Sequence, residues 1–361
     1  MKRLLLLPLF ILIFSGCYSS IKIELRESPD PGVEITKFDS LRVIAELETD
    51  GGFFHNSFVY HGGWLFAAEG SGKIHAFDLE KQDHAGYASV RNTTVSAPPV
   101  FTGEKMYYLY RKKLNPELRL AKYNIRMGKE EFNTELNITG DASIFESGGT
   151  LVVVSAGSIH FFDTTGAEKR SLQLGSTISS KLMQSGDMII AGLSDGRILE
   201  LNTISGTVNH FATGKNEPVT SFHPVGDNYI ACHYGGGIEL TGRGGYQFWK
   251  IESGRVIAEP VISGSFVFVG DLRGMLYKIN LKTGDLKEKL ETGGLITEKV
   301  TVVAQKIVLP LAGGELILID QDHFKVAQRL KTNGRVKTPV IQLNNRLIAG
   351  CDNGRILLME F

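Results

Sequence analysis

FVFVGDLRGMLYKIN, residues 266–280, sets two short apolar runs on either side of a glycine-centred turn. The phrase returns as MIIAGLSDGRILELN at 188–202 and as RLIAGCDNGRILLMEF at 346–361. Taking Gly72, Leu118, Gly157, Gly196, Gly237, Gly274, Gly314 and Gly354 as equivalent positions spaces successive copies 37 to 46 residues apart. Such a unit is too small to bury both of its faces alone. The period therefore predicts an all-β fold, an eight-bladed β-propeller of four-stranded antiparallel blades.

Aligned on these anchors, the columns assign a role to each position. Two, three and five residues past the anchor stand Ile74, His75 and Phe77; Ile159, His160 and Phe162; Ile198, Leu199 and Leu201; and Leu276, Tyr277 and Ile279. A strand apolar on both faces belongs between neighbouring sheets. Six residues past the anchor come Asp78, Asn124, Asp163, Asn202, Asn280, Asp320 or Glu360, often followed by a glycine such as Gly128, Gly166, Gly206 or Gly284. Asp and Asn bond their own backbone and glycine accepts positive φ, so this column reads as a turn and not as a ring of catalytic carboxylates.

Upstream of each anchor lies another strand, with Leu65, Ile189, Val267, Ile307 and Leu347 in one column and mostly small residues two places on. Before it comes a short segment that often opens with proline: APPV at Ala97, EPV at Glu217, EPV at Glu259 and TPV at Thr338. Proline suits a strand's first residue or an edge, so this segment is expected to be innermost. The last copy runs out after its third strand. The missing fourth is expected from Leu41–Leu47, because the residues from Leu41 onward align with those from Lys325. An N-terminal strand would thus close the ring, which removes exposed sheet edges. Residues 41–361 make one propeller domain.

Lysine plus arginine equals aspartate plus glutamate at 39 each, leaving no long-range field to gather nucleic acid. The 41 glycines fit turn-dense β structure. At the N-terminus, MKRLLLLPLFILIFSGCYSS places Lys2 and Arg3 before an apolar run, Leu4–Phe14, and ends in small residues ahead of Cys17. That run is too short to span a bilayer but suits a signal peptide. Residues 1–16 are expected to be a lipoprotein signal peptide and Cys17 the lipidation site, with a plain signal peptide as the alternative. Residues 17–40 carry no repeat phase and read as a flexible tether. Two acyl-type anchors on Cys17 would attach the chain stably to a membrane.

Cys232 and Cys351 fall on or just after second strands of repeats five and eight, too far apart around the ring to pair, and read as small buried side chains. The nine histidines are scattered, and His75 and His160 share a column with Leu199 and Tyr277, which makes them packing positions. No catalytic, cofactor-binding or metal-binding residue is assigned. GxSxG, HExxH and GxxxxGK[ST] are read as absent, GLSDG at Gly192 being set aside as lacking a serine at the motif centre, and the glycine-rich segment from His233 is not followed by a helix start that a phosphate cradle needs.

GGYQFWKIESGRVIAEPVISGSFVFVGDLRG, from Gly244, resembles the repeat of PQQ-like quinoprotein propellers, with Trp249, Gly254, Pro260, Val261, Val269 and Gly270 at the family's positions. The resemblance covers nearly all of the chain after the tether. The wider plan of lipoprotein signal, tether and eight repeats is similar to the BamB family of outer-membrane lipoproteins. It implies a non-enzymatic scaffold of the β-barrel assembly machinery on the periplasmic side of the outer membrane, and Tyr18 in place of an Asp after the cysteine agrees with that membrane. It also implies docking on a BamA-like subunit through loops at one face. The stretches that correspond to the family's docking loops, Leu174–Gly186 and Thr213–Phe222, lack its Leu-rich and Asp-x-Asp patterns, so no contact residue is assigned. Two other readings remain open: a propeller lipoprotein that binds another protein, a peptide or a glycan, and a PQQ-dependent dehydrogenase. The dehydrogenase reading would call for adjacent cysteines and a calcium ligand set that do not stand out here.

Overall fold

A computed structural model of the chain describes residues 20–26, 40–89, 92–113, 115–343 and 345–360. The described strands form eight antiparallel sheets, ordered as the chain runs except that the first strand of the chain edges the last sheet, arranged as an eight-bladed propeller. Blades 1 to 7 span residues 53–89, 93–136, 142–173, 183–212, 219–251, 261–291 and 301–331, and blade 8 combines 341–360 with Arg42–Glu48. The opening phrase is the middle of blade 6. Its strands are Val261–Ser263, Phe266–Gly270, Met275–Asn280 and Leu286–Glu291, with Val269 opposite Tyr277 and Leu276 opposite Leu290.

Burial follows the columns. Leu65, Ile189, Val267, Ile307 and Leu347 are all essentially inaccessible, and in blade 6 residues Val267–Gly270 and Leu276–Ile279 of the second and third strands are buried while the outermost strand is largely exposed. The core therefore sits between blades. Phe268 and Leu276 of blade 6 pack with Ile307, Leu309, Ile317 and Ile319 of blade 7. Where a proline precedes the innermost strand, as in blades 2, 5, 6 and 8, the strand starts just past it, as Val261 does after Pro260.

The anchor glycines do more than turn the chain. Gly274 sits at φ 83°, and a Cβ there would lie 2.6 Å from the Gly294 carbonyl oxygen, so the turn is packed against the linker that leads to the next blade. That linker is held by a threonine. Thr292 N donates to Gly274 O at 2.9 Å and its Oγ1 to the same oxygen at 2.9 Å. Thr213 repeats the pair on Gly196 O, at 3.2 and 2.6 Å.

Ring closure uses the same clamp. Arg42–Glu48 pairs with Arg355–Glu360, Arg42 opposite Glu360 and Leu47 opposite Ile356. Thr49 N then donates to Gly354 O at 2.9 Å, and Thr49 Oγ1 to the same oxygen at 3.1 Å. The expected closing strand from Leu41 is thus present.

Two readings are corrected. Leu118 is not at a turn; it lies inside Asn115–Asn124, whose ladder with Lys105–Lys112 continues to Lys112 opposite Asn115. The extra residues of repeat two lengthen this hairpin, and Thr93–Thr94 pairs with its extension as a fifth strand. Residues 17–40 are also not a free tether throughout. Residues 20–26 are docked on blades 1 and 2, with Ile21 and Ile23 buried. Apolar side chains at alternate positions gave that segment a surface to bury, which outweighs the chain entropy of leaving it loose.

Because strands alternate in direction, the turns between first and second and between third and fourth strands share one face, here the outer-turn face. The turns between second and third strands and the blade-to-blade connections share the other, the linker face.

Candidate functional site

Around the axis the innermost strands bring together residues that are remote in sequence. Lys181, Glu259 and Lys299 each stand two places before the first strand of blades 4, 6 and 7, which begin at Met183, Val261 and Thr301. Blade 1 contributes His55. Its first strand carries a wide bulge between Phe53 and Phe58, where Asn56 takes φ 58° and Ser57 accepts from Phe54 N at 2.7 Å. The bulge carries His55 across the axis.

There His55 Nδ1 lies 2.5 Å from Glu298 Oε2 and 2.8 Å from Lys181 Nζ, while Lys181 Nζ is 3.3 Å from Glu298 Oε2. Glu259 faces His55 Nε2 at 3.7 Å and Lys299 Nζ at 3.4 Å. Blades 1, 4, 6 and 7 thereby meet in one charged cluster that narrows the channel. Burial disfavours ionised Glu259, but the facing His55 with Lys299 and Lys181 outweighs it and holds the pKa at about 2. Burial lowers the Lys181 pKa, opposed by Glu298 and Glu259, and burial lowers that of His223 as well.

This cluster predicts acid sensitivity. A carboxylate whose pKa is lower folded than unfolded stabilises the fold above its unfolded pKa, and that contribution is lost as the pH falls towards the folded value. Glu69, buried but bonded by His75, Ser71 and Gly51 N, is likewise held at about 2. Between pH 7 and pH 3 the wild type is expected to lose on the order of 2 kcal/mol more stability than Glu259→Gln, read by urea denaturation at both pH values. Equal losses would exclude Glu259 as a contributor.

Beside the cluster the linker face is hollow. One cavity of about 240 Å³ is lined by Ser96, Asp141, Ser143, Ser155 and Ser180, and a second of about 140 Å³ by His55, Asn56, Pro98 and Lys181. Both fall below the usual volume of small-molecule sites, roughly 300–1,000 Å³. The linker parts of the stretches 174–186 and 213–222, residues 174–182 and 213–218, lie on this face, and Ser179 Oγ donates to Val219 O at 2.9 Å. Two exposed apolar side chains stand here, Leu295 and Tyr234, the latter under the Arg255 guanidinium at 3.4 Å.

The residues singled out by sequence fall as follows. Cys17 lies outside the described residues. The Asp/Asn column caps turns: the side chains of Asp78, Asn124, Asn202, Asn280 and Asp320 each accept backbone N–H groups two and three residues on. His75 is buried 3.4 Å from Glu69 Oε2, and His160 is buried between Ser158 Oγ and Glu168 Oε1, both at 2.8 Å. Cys232 and Cys351 are buried and unpaired, and burial pushes both thiols up to about 12, which makes them inert at neutral pH. Among the described residues no group of three His, Cys, Asp or Glu is placed to hold a metal ion.

The reading of GLSDG is corrected: Gly192-Leu193-Ser194-Asp195-Gly196 does carry the central serine and the GxSxG spacing of a hydrolase elbow. It forms a turn between two strands, not a strand-to-helix elbow. Ser194 Oγ meets the hydroxyls of Ser176 and Thr177 at 3.0 and 2.9 Å, and Asp195 pairs with Arg197 at 2.6 Å. The axial cluster was missed too. Its only trace in sequence is a charge at the same repeat position in three blades.

No protein-family profile and no curated protein matches the chain. Among solved structures, the computationally designed Ika8 protein is similar at a TM-score of 0.66 and 15% identity, over 87% of this chain and 98% of its own. The crystal structure of BamB from Moraxella catarrhalis superposes at a TM-score of 0.72 and 17% identity, over 89% of this chain and 100% of that one, so the chain has the propeller fold of BamB.

Proposed function

We propose that the protein is a lipid-anchored, non-catalytic scaffold of the BamB type, held by Cys17 at the periplasmic face of the outer membrane and binding a BamA-like subunit of the β-barrel assembly machinery. The observation that carries this reading is the match to BamB along the whole length of that chain. The form of the linker face supports it. Non-repeating loops stand on a rigid closed ring, which suits binding sites borne on loops, and the exposed Tyr234 with its stacked Arg255 is the residue pairing common at interface centres. The hollows are too small for a typical cofactor and give a protein partner places to insert side chains.

Two linked measurements test it. Radiolabelled fatty acid should mark the wild type and leave Cys17→Ala unlabelled; equal labelling removes the anchor. Affinity purification from mildly solubilised membranes should recover β-barrel assembly subunits, with recovery reduced at least tenfold by Tyr234→Asp. Recovery of a different protein, or a peptide or glycan ligand, replaces the partner.

A further inference from the structure

The docked segment 20–26 fixes where the anchor must be. Ile23 N donates to Ile125 O at 3.0 Å and Arg26 N to Gly62 O at 2.9 Å. Tyr123 OH donates to Ile21 O at 3.1 Å and Trp64 Nε1 to Glu24 O at 2.9 Å. Arg26 closes the strap, pairing with Asp78 at 2.6 Å and lying 4.4 Å over the Trp64 ring. Ile21 and Ile23, 0% and 6% exposed, fill the groove between blades 1 and 2.

At its upstream end the strap emerges on the outer-turn face. Ser20 abuts the third-to-fourth strand turn of blade 2, where a Cβ on Gly128 would lie 3.1 Å from Ser20 Oγ. Cys17 is three steps along the chain from Ser20, and an extended chain covers at most about 3.6 Å per step, so the anchor can reach no farther than roughly 11 Å from Ser20. The turn presents Arg126 and Met127, with Lys129 and Lys22 beside them, all exposed. Arg126 is shared with Glu104 at 3.2 Å.

Other apolar side chains exposed on this face have the same placement. Ile204 and Tyr246 sit on the corresponding turns of blades 4 and 5, and Phe248 and Leu286 near the start of the outermost strands of blades 5 and 6. Exposed apolar and aromatic side chains on one face, with Arg126, Lys129 and Lys22 around Met127 at the turn nearest the anchor, suit a surface that meets lipid headgroups.

We infer that the outer-turn face, led by the turn at 124–128, lies against the bilayer that carries the Cys17 anchor, so that the linker face points away from the membrane. The inference rests on the anchoring proposed above. It replaces a propeller swinging on a long tether with one oriented by a strap of seven residues.

The test attaches the anchor chemically, so that it stands apart from whether cells lipidate Cys17. The chain from Cys17 onward, which keeps every described residue, is coupled through Cys17 to a maleimide lipid in phosphatidylethanolamine–phosphatidylglycerol vesicles; the buried Cys232 and Cys351 are shielded from the reagent. A fluorescent amino acid replaces Met127 in one sample and Leu295, on the linker face, in another. A headgroup-borne quencher should quench position 127 at least threefold more than position 295. Equal quenching, stronger quenching at 295, or none at either site overturns the inference and leaves the outer-turn face to another occupant. Ile21→Asp with Ile23→Asp, which releases the strap, should abolish the contrast; a contrast that survives overturns the strap's role. Loss of fatty-acid labelling in cells would defeat the proposed function and leave this result intact.

Discussion

Deleting residues 41–48 is expected to remove the single cooperative unfolding transition of the protein, leaving a broad transition of low midpoint in urea. The deletion takes away the outer strand of blade 8, six ladder pairings with Arg355–Glu360, and the buried Leu41. Partly buried Val43, Ile44, Ala45 and Leu47 go with it. Fully burying such side chains is worth about 1.5–3 kcal/mol each, so the loss approaches the roughly 5–15 kcal/mol that holds a whole domain together. It also bares the edge of Arg355–Glu360, inviting association between molecules. The control is a circular permutant. Because Arg42 stands opposite Glu360, a short turn after Phe361 followed by residues 41–50 should rebuild the strand as an ordinary hairpin and restore the wild-type midpoint. A deletion that unfolds like the parent, or a permutant that fails to recover, would mean the ring does not depend on this strand.

The second large effect is expected at Asp271, which is fully buried. Its carboxylate accepts from Arg273 N at 2.9 Å, Met275 N at 3.0 Å, Gly254 N at 2.9 Å and Tyr277 OH at 2.9 Å. Burial opposes its ionisation, yet these donors hold its pKa below the usual range. Asp271→Ala strands several buried donors at once and should cost about 3–5 kcal/mol by urea denaturation. Asp285→Ala, on an exposed turn, should stay within about 0.5 kcal/mol.

Blades 4, 7 and 8 place apolar pairs at the same two positions, Leu193 with Leu199, Leu311 with Ile317 and Cys351 with Leu357, all buried. The double change Asp271→Leu with Tyr277→Ile should accordingly be at least about 1 kcal/mol less damaging than the sum of its parts. Strict additivity would show that the two positions do not act as a unit.

That pairing also shows what the sequence makes legible. A role that recurs in eight copies can be read from a column, and the Asp/Asn turns, the buried second and third strands and the closing strand were all found that way. Blade 2 escaped because its extra residues went into strand length, so counting from Leu118 placed a turn where the chain is extended. The strap escaped because Ile21, Ile23 and Leu25, though alternating as a strand does, belong to no repeat. The axial cluster leaves only a charge two places before the first strand in three blades. His55 and Glu298 meet only because the ring brings blade 1 and the linker to blade 7 to one axis, and the charges of Lys181, Glu259 and Lys299 complement one another only once the circle is drawn.

The clamp of Thr49 on Gly354 has a consequence for how the protein is made. Its two halves are 305 residues apart, so blade 8 stays incomplete until Arg355–Glu360 has emerged from the ribosome. Blades 1 to 7 can stack as they appear, in an open arc whose first and last faces are still wet. Residues 41–48 must therefore wait, unpaired, while all seven intervening blades are made. The final step joins the oldest strand to the youngest, a contact of high sequence separation and hence slow to form. During that interval the unfinished arc offers strand edges at both ends, and it is then that the chain has most need of a chaperone.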